Sequence, residues 1–295
     1  MSRHLPPRRL VLGAIGATGA ALVVAASRHA AKRFITPDPV ETRFLTPWEL
    51  GIEYEDMVFQ TEDGLEISGW WLPNPEARRT IITLAGHNAA RHHVLGISSA
   101  LHRAGANVLL FDNRGRGTSE GDKISLGHYE RLDAEAAADY VVRRTPNLPL
   151  GMMGFSMGGA VAIMAAARDE RIKAVVADSA FASQSRLITY HLRQYVGRFF
   201  APAIFRLAKG ALHYDIHEVE PGKDAAKISP RPVMFIHGEL DTVTDPDDSI
   251  AMYKAAGEPK ELWIVEGAGH VDAYFQDRGE YSWRVAEFFE KHLGR

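Results

Sequence analysis

The chain has no cysteine among its 295 residues. That excludes disulfide bonds, a thiolate nucleophile, cysteine-ligated zinc and lipidation on cysteine. It also lacks a strong charge of either sign: a formal net charge of −3 gives no overall pull toward a polyanion. No zinc-finger spacing and no aromatic ribonucleoprotein motif is present, so nucleic acid is not an expected partner. What the chain does have is apolar residues, 46% against 24% charged, enough to bury the core of one α/β domain.

Residues 1–36 stand apart from that domain. Arg3, Arg8 and Arg9 precede an uncharged run from Leu10 to Ser27, and Arg28, Lys32 and Arg33 follow it, a membrane-targeting pattern near the short limit for a span. Signal segment and uncleaved anchor are both open, and the basic cluster after the run favours the anchor. Positive charge on both flanks fixes no orientation. Arg8-Arg9-Leu10-Val11-Leu12 weakly resembles a twin-arginine export signal, with Pro7 where a polar residue is usual. Residues 37–50, carrying Pro37, Pro39 and Pro47, read as a linker, and 51–295 as the folded domain.

Within the domain, Tyr54 to Gln60 and Leu65 to Leu72 flank the turn Glu62-Asp63-Gly64, the pattern of an antiparallel hairpin. Trp70 and Trp71 are expected to cover its face. Short β-branched or apolar runs then alternate with helical segments: Thr80 to Leu84, Val108 to Phe111, Leu148 to Met153, Ile172 to Ala177, Val233 to Ile236 and Glu261 to Val265. Such alternation predicts a mostly parallel sheet with helices on both faces. Residues 183–224 break the rhythm with interleaved aromatic and basic side chains, among them Phe199 and Phe200. This is the expected helical cap, either an apolar lid for an acyl chain or lipid surface or an amphipathic helix packed on its own domain.

The centre of the chain is Gly154-Phe155-Ser156-Met157-Gly158-Gly159, a G-x-S-x-G stretch between an apolar run and an alanine-rich one. Strand, sharp turn and helix in that order push a serine out toward solvent, and small neighbours let the helix pass the strand. The stretch resembles the nucleophile elbow of the α/β-hydrolase superfamily, and the match extends from about Tyr54 to the C-terminus. The resemblance implies an α/β-hydrolase fold and a Ser-His-Asp triad acting without metal or organic cofactor. His237-Gly238-Glu239-Leu240-Asp241 resembles the acid-bearing loop, and Gly267-Ala268-Gly269-His270 the loop of the base. Ser156, Asp241 and His270 are then nucleophile, acid and base, in the superfamily's chain order.

Asp178, at the end of the Ile172 run, is a rival acid. Resemblance also puts the oxyanion-hole amides at Met157 and, in the loop Gly86-His87-Asn88-Ala89, at Asn88, with Ala89 the fallback because the usual His-Gly order is reversed here. His87, His92 and His93 are expected as polar loop and helix start, not a metal site. The loop from Asp112 to Gly121 resembles the superfamily's D-x-R-G-x-G loop, in which Asp112, Arg114 and Ser119 fix the loop itself. Asp245-Pro246-Asp247-Asp248 has the composition of a helix start.

The implied function is cleavage of carboxylic esters, from small-molecule or lipid substrates, at a membrane or in an exported location. Serine peptidase, amidase and thioesterase activities share the fold, and a non-catalytic binding module is the reading from another class. Oligomeric state is not encoded in any of these features.

Overall fold

The computed structural model describes residue 36, residues 44–195 and residues 214–294. The apolar N-terminal run and most of the cap expected at 183–224, with Phe199 and Phe200, lie outside the described residues. Among the described residues no helix is long and apolar enough to cross a membrane.

Among the described residues eight strands form one sheet in the order β1-β2-β4-β3-β5-β6-β7-β8. The opening hairpin is β1 (Glu55–Gln60) and β2 (Glu66–Leu72), paired antiparallel from Glu55↔Trp71 to Gln60↔Glu66. β2 joins β4 (Ala106–Phe111) antiparallel, and from there β3 (Arg79–Leu84), β5 (Leu150–Phe155), β6 (Ile172–Asp178), β7 (Val233–Gly238) and β8 (Lys260–Val265) run parallel. β3, β4 and β7 are buried at every position, which is why they read as continuous apolar runs and not as alternating ones. Trp70 and Trp71 are both buried, one in the apolar cluster on each side of the sheet.

Helices cover both faces. Helix α1 (Leu95–Arg103) and the C-terminal helix α6 (Arg278–Leu293) pack on one side through Leu95, Leu101, Tyr281, Phe288 and Phe289. Helices α2 (Glu130–Arg144), α3 (Met157–Ala166) and α5 (Pro246–Ala255) contribute Ala137, Val141, Ile163 and Met252 to the other. Helix α4 (Gln184–Tyr195) leads into the cap region. Its base is fixed to the domain by Arg186, which meets Asp248 at 3.1 Å, and by His191, whose Nε2 is 2.9 Å from the Val243 carbonyl. Asp245 caps α5, accepting from the Asp247 amide, and Asp277 caps α6 in the same way, accepting from the Glu280 amide.

β3 and β5 are neighbours, while their following strands lie on opposite sides. The chain direction through the sheet therefore reverses between these two strands, and in open α/β sheets the carboxyl ends at such a point frame a crevice. Ser156 directly follows β5, and the Gly86 loop directly follows β3.

Candidate active site

The turn at Ser156 is tight because backbone crosses backbone. A Cβ on Gly158 would lie 2.5 Å from the Leu84 carbonyl oxygen, and one on Gly154 would lie 2.2 Å from the Gly158 carbonyl carbon. Only glycine fits at either position, so helix α3 starts against β3 and β5 with nothing between. Ser156 itself has φ +53° and ψ −117°, outside the ordinary basins for an L-residue, and such strain persists only where surrounding contacts enforce it. One of them is the hydrogen bond from the Ser156 amide to the Asp178 carbonyl, 2.7 Å.

Thus presented, Ser156 Oγ lies 3.0 Å from His270 Nε2, and His270 Nδ1 lies 2.7 Å from Asp241 Oδ2. Three segments far apart in sequence meet at the carboxyl edge of the sheet. Asp241 is buried at 5% exposure and receives more than one proton donor. Its Oδ1 accepts from the amides of Val243 (2.8 Å) and Thr244 (3.0 Å). Its Oδ2 accepts from Thr244 Oγ1 (2.8 Å) and faces His237 Nε2 at 3.2 Å. Burial alone would raise the carboxyl pKa; hydrogen bonds from His237 and His270, with the backbone amide of Thr244, outweigh it and hold the group below its ordinary range. It is therefore a carboxylate at neutral pH, able to fix the proton of His270 on Nδ1 and leave Nε2 free to accept.

Asp178, the alternative acid, is not beside the imidazole in this way. It is fully buried, with Oδ1 accepting from Ser179 Oγ at 2.8 Å and Oδ2 from Tyr281 Oη at 2.6 Å. Burial pushes its pKa up.

A cavity of about 240 Å³ opens at Ser156 and His270. Val94, Ile97, Phe155, Val271, Tyr274 and Phe275 make most of its wall, with Gly86, His87, Ala89 and His93 on the side of the β3 loop. Among the described residues, no aspartate or glutamate lines it. Gly86 lies against the elbow: a Cβ there would be 3.3 Å from the Phe155 carbonyl oxygen and 3.5 Å from Ser156 Cβ. The Gly86 loop is a tight turn closed by the Ala89 amide donating to the Gly86 carbonyl at 3.2 Å, with Asn88 at φ +59°. That bond engages the amide of Ala89, the fallback donor. Asn88 sits in the turn without lining the cavity, whereas Gly86 and His87 do line it. Met157 is the first residue of α3, so its amide has no acceptor within the helix.

His92 and His93 stack near Phe44, with ring centroids of Phe44 and His92 4.8 Å apart. Among the described residues no group of three or more acidic or histidine side chains is arranged to hold a metal ion. Asp112 and Ser119 do bind their own loop: Asp112 Oδ2 accepts from the Thr118 amide and Ser119 Oγ donates to the Asp112 carbonyl. Arg114 reaches further, bridging Asp133 on α2 and Asp63 in the hairpin turn. Sequence reasoning missed His237, Thr244 and Ser179. His237 stood in the acid-loop motif, but nothing in the sequence aims its ring at Asp241.

Residues 75–219 match the family described as serine aminopeptidase, S33. The match includes the elbow and stops before Asp241 and His270. The protein YfhR of Escherichia coli O157:H7 is 30% identical over 246 residues, 79% of this chain and 78% of that one. The α/β-hydrolase domain-containing protein WAV2 of Arabidopsis thaliana is 26% identical over 293 residues, 95% and 92% of the two chains. Among solved structures, the Pyrococcus furiosus esterase Pf2001 superposes with a TM-score of 0.72 at 29% identity, over 87% of this chain and 99% of that one. With the sheet order, the elbow and these likenesses in hand, the chain belongs to the α/β-hydrolase superfamily of serine hydrolases.

Proposed function

We propose that the protein cleaves carboxylic esters through an acyl-enzyme on Ser156. The observation that carries this reading is the line from Ser156 Oγ through His270 to Asp241, at 3.0 and 2.7 Å, set at the polar end of an otherwise apolar cavity. His270 Nε2 takes the Ser156 proton as Oγ attacks the ester carbonyl, and Asp241 stabilises the imidazolium. The tetrahedral intermediate collapses, the C–O bond to the alcohol breaks, and the alcohol leaves with the proton from His270. Water, deprotonated by the same nitrogen, then attacks the acyl carbon; the bond to Ser156 Oγ breaks, His270 returns the proton to Oγ, and the acid leaves.

The Met157 amide and a second amide from the Gly86–Ala89 turn hold the oxyanion in this reading. Asn88 is the residue assigned by resemblance, and each donor of this kind is typically worth about 3 kcal/mol in the transition state. Residues 1–36 keep the domain at a membrane, or direct its export, and the cap covers the acyl chain. The uncharged run from Leu10 to Ser27 supports the former.

A peptidase reading is favoured by the name of the matched family. Against it stands the cavity wall, where no carboxylate among the described residues is placed to take a substrate's amino terminus. Thioesters remain chemically equivalent acyl donors for the same triad, and a non-catalytic binding module is the reading in which the triad is idle.

The test is hydrolysis of nitrophenyl esters of increasing chain length by wild type and Ser156→Ala, beside labelling with a fluorophosphonate probe. Serine-dependent turnover and labelling are the expected result. Labelling without ester turnover would transfer the assignment to amides or thioesters, and folded wild type with neither would favour the binding module.

A further inference from the structure

The residue after the base, Val271, holds φ +54°. For a β-branched side chain this left-handed conformation is strained, and glycine, which would adopt it freely, is absent there although Gly267 and Gly269 stand just upstream. Something must hold Val271, and with it His270, in place. The Val271 amide donates to Ser179 Oγ at 3.2 Å. Ser179 Oγ in turn donates to Asp178 Oδ1 at 2.8 Å, and Asp178 Oδ2 is held by Tyr281 Oη at 2.6 Å. All three partners are fully buried.

The same dipeptide touches the other two catalytic segments. The Asp178 carbonyl accepts from the Ser156 amide at 2.7 Å, and the Ser179 carbonyl is 3.0 Å from Thr244 Oγ1, the hydroxyl that also meets Asp241. Ser179 is itself at φ +52°, with its amide bonded to the Ile236 carbonyl of β7 at 2.8 Å. The end of β6 therefore joins the turns that bear nucleophile, acid and base.

We propose that Ser179, anchored by Asp178 and Tyr281, is a positioning residue that holds the Val271 backbone in its left-handed conformation and so sets the imidazole of His270 against Ser156. This rests on the serine-hydrolase reading above. Asp178, unused as the acid, finds its role here. A hydroxyl at 179 serves both ends of the arrangement, giving its proton to the carboxylate and a lone pair to the Val271 amide. Alanine offers neither.

The decisive experiment is a double-mutant cycle in the full chain: wild type, Ser179→Ala, Val271→Gly and both together, measured for kcat and KM on a short nitrophenyl ester, with thermal unfolding alongside. Ser179→Ala is expected to lower kcat about 10- to 100-fold, the range that a misplaced reacting group produces, while KM moves by less than about threefold. Glycine at 271 removes the strain that Ser179 opposes. In that background Ser179→Ala should cost less than about threefold in kcat.

Val271→Asn, which also tolerates the left-handed region, serves as a second background and should give the same relief. Equal losses from Ser179→Ala in the valine, glycine and asparagine backgrounds would overturn the proposal, as would a Ser179→Ala enzyme with unchanged kcat or backgrounds that abolish turnover altogether. Wild type without Ser156-dependent turnover would instead sink the hydrolase reading itself.

Discussion

His237 and His270 point ring nitrogens at the same carboxylate oxygen: Asp241 Oδ2 lies 3.2 Å from His237 Nε2 and 2.7 Å from His270 Nδ1. His237 is completely buried, with its other nitrogen 2.7 Å from Ser249 Oγ. A carboxylate facing two imidazoles needs two free lone-pair directions, and an amide cannot supply both while keeping the backbone bonds on Oδ1. Asp241→Asn should consequently leave His270 in the wrong tautomer, lowering kcat by about 10⁴-fold with little change in KM. Steady-state kinetics on one ester decides it. A loss smaller than about tenfold would mean that another group, Asp178 foremost, orients the base.

The elbow makes a prediction about folding. The Cβ of an alanine at 158 would meet backbone atoms, the carbonyl oxygens of Leu84 and Ala85 at 2.5 and 2.7 Å, and these belong to the end of β3 at the centre of the sheet. No side-chain rotation relieves such a clash. Gly158→Ala should destabilise by more than about 3 kcal/mol, at the severe end for single substitutions, measured as the shift of the urea midpoint. A variant of near wild-type stability would show that α3 can move off the sheet without loss.

Much of this was legible in the chain because the signals are local. The hairpin, the parallel strands, the elbow and the helix cap at Asp245 each depend on neighbours in sequence, so apolar runs, glycine and proline reveal them. The approach of Ser156, Asp241 and His270 was legible through chain order combined with resemblance. What composition could not reveal is the set of contacts around that line. Ser179 and Val271 are 92 positions apart, and their hydrogen bond follows from how the ends of β6 and β8 register across β7. The turn at Gly86–Ala89 is similar: Asn88 holds a positive φ, and the sequence of the loop does not specify which of its residues line the cavity.

Chain-length preference should be set by Tyr274. Its hydroxyl lies where a side chain at Gly96 would begin, 2.2 Å from the position of a Cβ, so Tyr274 lies against α1 and forms part of the cavity wall. In the esterase reading the acyl chain of the substrate would enter this cavity of about 240 Å³. Tyr274→Ala should open the wall and raise the ratio of kcat/KM for long over short nitrophenyl esters by about tenfold, the range in which a few methylenes of apolar contact discriminate. An unchanged ratio would place the acyl chain elsewhere, toward the cap.

Alkaline conditions should weaken the fold through Tyr281. Burial, followed by the nearby Asp178 charge and its hydrogen bond, keeps the Tyr281 phenol protonated well above the ordinary tyrosine range; burial raises Tyr214 as well. In the unfolded chain a tyrosine ionises near pH 10. Above that value the unfolded state binds fewer protons than the native one, so stability falls as pH rises, by about 1.4 kcal/mol per pH unit for each such tyrosine. Their contribution is complete below about pH 10 and is lost as pH climbs toward the folded-state values. Urea unfolding at several pH values from 9 to 11.5 should show this slope, and Tyr281→Phe, though less stable at neutral pH for want of the bond to Asp178, should have a shallower one by about 1.4 kcal/mol per unit. Identical alkaline slopes in wild type and variant would mean that Tyr281 ionises in the native protein, and that Asp178 is reached by solvent from the side of α6.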